Sequence, residues 1–208
     1  MIDYVTLMLA NMIGGLLVLA AFLIWGLESD RKRSWAPAFG IAGLVATVTG
    51  LAMTFTEPIP KPYAMAFGEM SVLLGVLFLG AAWALAAGFD LQPLGIYALF
   101  PGGAAIVIGI QIMRLSLTAA PAISGIGFIL TGLGGLGAWV TLWKRQARAL
   151  RLLGAAVILA AAAIWTLTAT MAYWMHMKPP EAQQQSRLID NTDLPSTVQA
   201  LGAASTLS

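Results

Sequence analysis

The chain has 208 residues, of which 59% are hydrophobic and 10% charged, with a formal net charge of +2 and a mean hydropathy of +0.84. A soluble domain of that balance would expose more apolar surface than water tolerates, and the composition also excludes disorder, collagen, a disulfide scaffold and a nucleic-acid binder. The absence of cysteine removes cystine, zinc–thiolate and cysteine-nucleophile chemistry. What remains is an all-α, multi-pass protein of the cell (plasma or inner) membrane.

A helix needs roughly 20 apolar residues to cross a bilayer, and six such stretches follow one another. Span one, 4–27, has no basic flank before it and is too long for a cleaved signal, so it reads as a retained helix carrying Asn11 in its first half. Arg31-Lys32-Arg33 and Pro37 precede span two, 38–55, where Ala46 and Gly50 make a small-residue groove and Glu57 stands just past the end. Span three, 64–87, holds Glu69 near its start, a costly place for a carboxylate unless it is paired, protonated or facing water. Span four, 93–115, places Gln111 and Arg114 on one face near its end. Span five, 121–143, is glycine-rich, and Gly127, Thr131 and Gly135 recur every four residues as one groove. Such a groove serves close packing within the chain or against a second copy. Span six, 152–177, ends in Met171-Ala172-Tyr173-Trp174-Met175-His176-Met177, and a polar tail, 178–208, follows Pro179-Pro180 with one short helix expected from Pro195.

The six spans contain two charges, Glu69 and Arg114; every other charged side chain lies outside them. Short connections make successive helices antiparallel neighbours. The loops after spans one, three and five carry Arg31, Lys32, Arg33, Lys144, Arg145, Arg148 and Arg151, against Lys61, Arg114, Lys178 and Arg187 on the other side. The positive-inside rule therefore puts those loops in the cytoplasm and both termini outside. Tryptophans and tyrosines gather at span ends, except Trp165, which lies near the middle of span six. Ala81-Ala82-Trp83 and Gly137-Ala138-Trp139 form a faint internal echo that sets Glu69 against Gly125, and shared glycine-rich composition accounts for it.

Few residues offer chemistry. Glu69, Arg114, Gln111, Asn11 and Glu57 lie at one level and form a candidate polar or ligand site, in a cavity expected to open outward; a structural ion pair or snorkelling to the headgroups is the simpler account of Glu69 and Arg114 near the interface. His176 with Met171, Met175 and Met177 offers thioether and imidazole ligands for copper(I) or haem, although methionine also fills gaps between helices. No zinc, P-loop or Ser-His-Asp pattern is present, no nucleophile is placed beside His176, and the reading leans away from an enzyme. Three functions stand. The first is a non-catalytic subunit or interaction protein, with other membrane subunits or its own copies as partners. The second is a small transporter or channel built around Glu69 and Arg114, and the third a redox or metal protein using His176.

Phe67-Gly68-Glu69, Gly88-Phe89-Asp90-Leu91-Gln92-Pro93, Tyr97, Gly109, Arg114, Leu117-Thr118 and Pro121 together resemble a bacterial and archaeal membrane family catalogued as domain of unknown function 981. The resemblance covers nearly all six spans but not the tail. It implies a polytopic membrane protein without an established activity, and marks Glu69 and Arg114 as positions to test.

Overall fold

The computed structural model describes residues 4–56 and 59–176. It is all-α among these residues, with six helical rods long and apolar enough to cross a membrane. α1 (Tyr4–Ala21) runs into a π-helical turn, Phe22–Gly26, and α2 (Ala36–Thr56) is entered through the 3-10 turn Lys32–Trp35. The third rod is composite: α3 (Lys61–Tyr63), a π-helical segment Ala64–Glu69, and α4 (Met70–Ala87). α5 (Gln92–Leu115), α6 (Pro121–Trp143) and α7 (Arg148–His176) complete the set. The helices begin earlier than the apolar stretches in the second, third and sixth rods, because a helical backbone continues through Lys32, Lys61, Arg148 and Arg151 where hydropathy stops. The tail, its expected short helix, Glu57 and Met177 lie outside the described residues.

Two compact units partition the chain, Met1–Thr170 and Met171–Ser208. The described part of the second is the C-terminal end of α7. Within the first unit, the most extensive contacts join α2 to α4 and α5 to α6, and both pairs are built on glycines seven residues apart. In the first pair a Cβ on Gly43 would stand 2.9 Å from the Gly75 carbonyl oxygen, and one on Gly50 would stand 2.8 Å from that of Gly68, in the π-helical segment that leads into α4. In the second pair Gly102 meets the Gly132 carbonyl at 2.9 Å and Gly109 meets that of Gly125 at 2.6 Å, and Gly125 and Gly132 meet their partners' carbonyls in return. Backbone approaches backbone because no side chain intervenes, which is how apolar helices gain dispersion and Cα–H···O contacts where no hydrophobic drive acts. The seven-residue spacing keeps that seam on one face as the helices wind about each other.

The two glycine hairpins match each other in spacing. Gly68 and Gly75 correspond to Gly125 and Gly132, one residue away from the register that set Glu69 against Gly125. The two hairpins thus share a packing device in a register of their own. The groove in span five is also divided: Gly127 faces the Trp165 ring, at 3.1 Å from a Cβ built on it, whereas Gly135 faces Gly102 and Ala98 of α5. Both contacts are internal to the chain.

α1 sits against α2, where Asn11 Nδ2 donates to the Ala42 carbonyl at 2.9 Å. α7 is held to α6 by Trp165, which is fully buried and whose Nε1 donates to Thr131 Oγ1 at 3.0 Å. The loops after the first, third and fifth rods share one end, called here the basic end. There Arg145 reaches Glu28 at 4.0 Å and Asp90 at 3.9 Å. These pairs are exposed and long, worth about 0–1 kcal/mol, so they record which loops meet rather than hold the fold. At the same end α4 stops on Gly88, whose φ of 80° a side chain rarely adopts, and the Arg33 guanidinium packs over it.

The outside of the first unit is apolar. Ile41, Phe55 and Phe100 are 66%, 80% and 73% exposed, and Trp25, Trp83 and Trp143 stand exposed at the basic end. Such a surface suits lipid rather than water.

Candidate functional site

Among the described residues no hydrogen bond or ion pair joins the polar residues expected to form one site. Glu69 closes the π-helical segment and is exposed, with Gly68 and Ala66 beside it turned inward. Gln111 and Arg114 are exposed near the end of α5, while Ile112 between them is buried. Among the described residues none of these three side chains has a hydrogen bond or an ion pair, and none lines the internal cavity. Asn11 spends its amide on the Ala42 carbonyl and ties two helices together.

The remaining polar groups at that level are satisfied locally. Thr49 and Thr54 donate to the carbonyls of Val45 and Gly50, at 2.7 and 2.8 Å, each one turn back in its own helix, and Thr118 donates to Ser124 Oγ at 3.1 Å. Helical threonines commonly bond backward in this way. None of these side chains lines the cavity of the first unit.

The cavity that does form is apolar. It measures about 400 Å³ and is lined by residues from all six rods of the first unit, within the range of small-molecule pockets. Two aromatic clusters stand along it. Near the basic end, Phe39 lies edge-on between Phe22 and Phe78, at ring separations of 5.4 and 5.3 Å. Toward the other end, Phe128 stands between Phe67 and Trp165, at 5.7 and 5.0 Å. Met8, Met12 and Met70 fill the wall near this second cluster, as flexible thioethers do. The lining residues that are also exposed are Leu133, Gly137, Val140 and Leu153. These four lie on α6 and the start of α7. The sequence pointed to polar residues as the lining of any cavity, whereas these walls are side chains too apolar to stand out in an apolar sequence. The one legible hint was Trp165, placed mid-span where a belt tryptophan would not be.

The π-helical segment is the other feature the sequence hid. Such segments cluster at functional sites, and here the wider turn brings Phe67 to the cavity and leaves Glu69 outside. Of the metal-site candidates, Met171 and Met175 lie one turn apart and both are exposed; His176 is the last described residue of α7.

A family model, Protein of unknown function (DUF981), matches residues 1–179. The chain belongs to the DUF981 family. No curated protein and no solved structure matches it. The DUF981 match covers all six helical rods and, with them, the exposed polar residues and the apolar cavity.

Proposed function

We propose that this DUF981 protein is a six-span membrane protein with both termini outside. In this reading it works as a non-catalytic interaction subunit, binding a neighbouring membrane protein through the surface that carries Glu69, Gln111 and Arg114. The observation that carries it is the exposed Glu69 carboxylate, without a bond among the described residues, on a helix whose other outward residues include Met65, Val76 and Trp83. A charge at the bilayer centre costs about 3 kcal/mol on insertion scales and less toward the interface. A partner helix offering a hydrogen-bond donor or a cation would recover that cost, and Arg114 would take an acceptor in the same way. The glycine seams support this indirectly: they are consumed inside the chain, so a partner needs another surface, and the polar residues provide it.

Purification from native membranes in mild detergent tests this reading. The parent protein should elute with a stoichiometric membrane partner, and Glu69→Gln or Arg114→Gln should release that partner while leaving the melting temperature of the isolated chain unchanged. A parent that elutes alone as a monomer contradicts it. The orientation has its own check. Reporter fusions active only in the cytoplasm should be active within 28–36 and 144–151 and silent at both ends, because the basic residues concentrate in the loops of one side. Cytoplasmic labelling of the tail would reverse the assignment.

A further inference from the structure

We infer that the apolar cavity is a binding site for an uncharged lipid, an apolar chain whose one carbonyl or hydroxyl oxygen accepts a hydrogen bond from Thr141. The wall sets the charge. It carries three hydroxyls, Ser71, Thr131 and Thr141, and no acidic, basic or histidine side chain. An ionised head inside it would lose its water and meet no counter-charge, whereas a single neutral polar group needs only one partner.

Thr141 offers that partner. Helical threonines commonly satisfy themselves by donating one turn back. Those from Thr47 in α2 to Thr170 in α7 do so here, to the carbonyl four residues earlier at 2.7–3.1 Å. Thr141 is the exception. It is only 7% exposed, it lines the cavity, and it has no hydrogen bond among the described residues. Among those residues Arg151 Nε is the one buried side-chain nitrogen or oxygen that is both unbonded and fully enclosed. The Thr141 oxygen, equally unbonded, therefore reaches open space, and the space it lines is the cavity. The other two hydroxyls are differently placed. Thr131 is engaged twice, donating to the Gly127 carbonyl and accepting from Trp165, and Ser71 is unbonded but only half-buried.

The surroundings of Thr141 leave room for a guest. A Cβ on Gly154 would stand 3.7 Å from its Oγ1 and 3.5 Å from Leu23 Cδ1, both ordinary contact distances, so the glycine keeps a space beside the hydroxyl. Phe22 and Leu23 line the cavity from the π-helical turn Phe22–Gly26, and Phe67 lines it from the π-helical segment of the third rod. Such turns gather at functional sites, and both of these contribute a ring to one wall. Leu133, Gly137, Val140 and Leu153 belong to the wall and to the exposed surface alike, which puts the cavity within reach of a molecule dissolved in the bilayer. Glu69, Gln111 and Arg114 do not line it, so this reading and the partner surface stand or fall separately.

The test uses the full chain in phosphatidylcholine nanodiscs with a diazirine-bearing hexadecanone as probe. Labelling should concentrate on peptides around Leu23, Thr141 and Gly154. Unlabelled hexadecanone should suppress it at severalfold lower concentration than hexadecane or hexadecyl phosphate. Thr141→Val keeps the shape and removes the hydroxyl; it should melt with the parent and bring ketone and alkane to equal effect, while Ser71→Ala keeps the preference for the ketone. Gly154→Val, which fills the space beside Thr141, should cut the labelling severalfold. Labelling spread evenly over the outer surface, or full labelling of Gly154→Val, would overturn the cavity as the site. Hexadecane competing as well as the ketone in the parent, a preference that survives Thr141→Val, or one that Ser71→Ala abolishes, would overturn the bond from Thr141. Hexadecyl phosphate competing best would overturn the uncharged head.

Discussion

Gly132→Leu should yield little folded protein. A Cβ on Gly132 would stand 2.5 Å from the Gly102 carbonyl oxygen and 3.1 Å from the Ile106 amide nitrogen, and backbone on a facing helix cannot swing aside as a side chain can. Overpacking of a core by flexible groups costs about 1–3 kcal/mol, and here the whole α5–α6 seam has to part. The matched controls are Gly14→Leu and Gly103→Leu, because nothing lies within 4 Å of a Cβ at either position. Thermal melting in detergent and monodisperse yield read the difference: a large loss for Gly132→Leu, and also for its counterpart Gly75→Leu in the other hairpin, with near-parent behaviour for the controls. If Gly132→Leu melts with the controls, the glycine seams are not what holds the hairpins.

Trp165→Ala should be the most damaging substitution in α7. The ring is fully buried, packs edge-on against Phe128 at 5.0 Å, covers Gly127 and bonds Thr131. Truncating a buried tryptophan costs about 3–5 kcal/mol. Trp165→Phe keeps most of the packing and removes one hydrogen bond, worth about 1 kcal/mol; the Thr131 hydroxyl still donates to the Gly127 carbonyl. Melting should therefore rank parent, Phe, Ala, with the second step the larger. A small step from Phe to Ala would show that α7 is held elsewhere.

The rods were legible because segregation of charge from long apolar runs survives any packing arrangement. Their ends were less so: Lys32–Trp35 and Arg148–Arg151 are helical but polar, and hydropathy reads polarity rather than backbone. Which face each residue takes was hidden for a related reason. When lipid and core are both apolar, a helix shows no amphipathic stripe, and Glu69 and Gly68 look equally interior in sequence although one is exposed and the other buried. The glycine seams could have been read from the seven-residue spacing of Gly43 and Gly50, Gly68 and Gly75, Gly102 and Gly109, and Gly125 and Gly132. The four-residue spacing of Gly127, Thr131 and Gly135 drew attention first and joined residues that face two different helices. The cavity left no linear trace, because it arises from rings contributed by five separate rods.

The central claim is that the surface around Glu69 meets another membrane protein. Met65 is 51% exposed and stands one turn from Glu69 on the same helical row, so a benzophenone amino acid in its place samples that surface without removing the carboxylate. Ile41, 66% exposed on α2, serves as the comparison. Irradiation of native membranes should give a discrete protein adduct from position 65 that Glu69→Gln abolishes, and none from position 41. Adducts with lipid alone at both positions would contradict the claim.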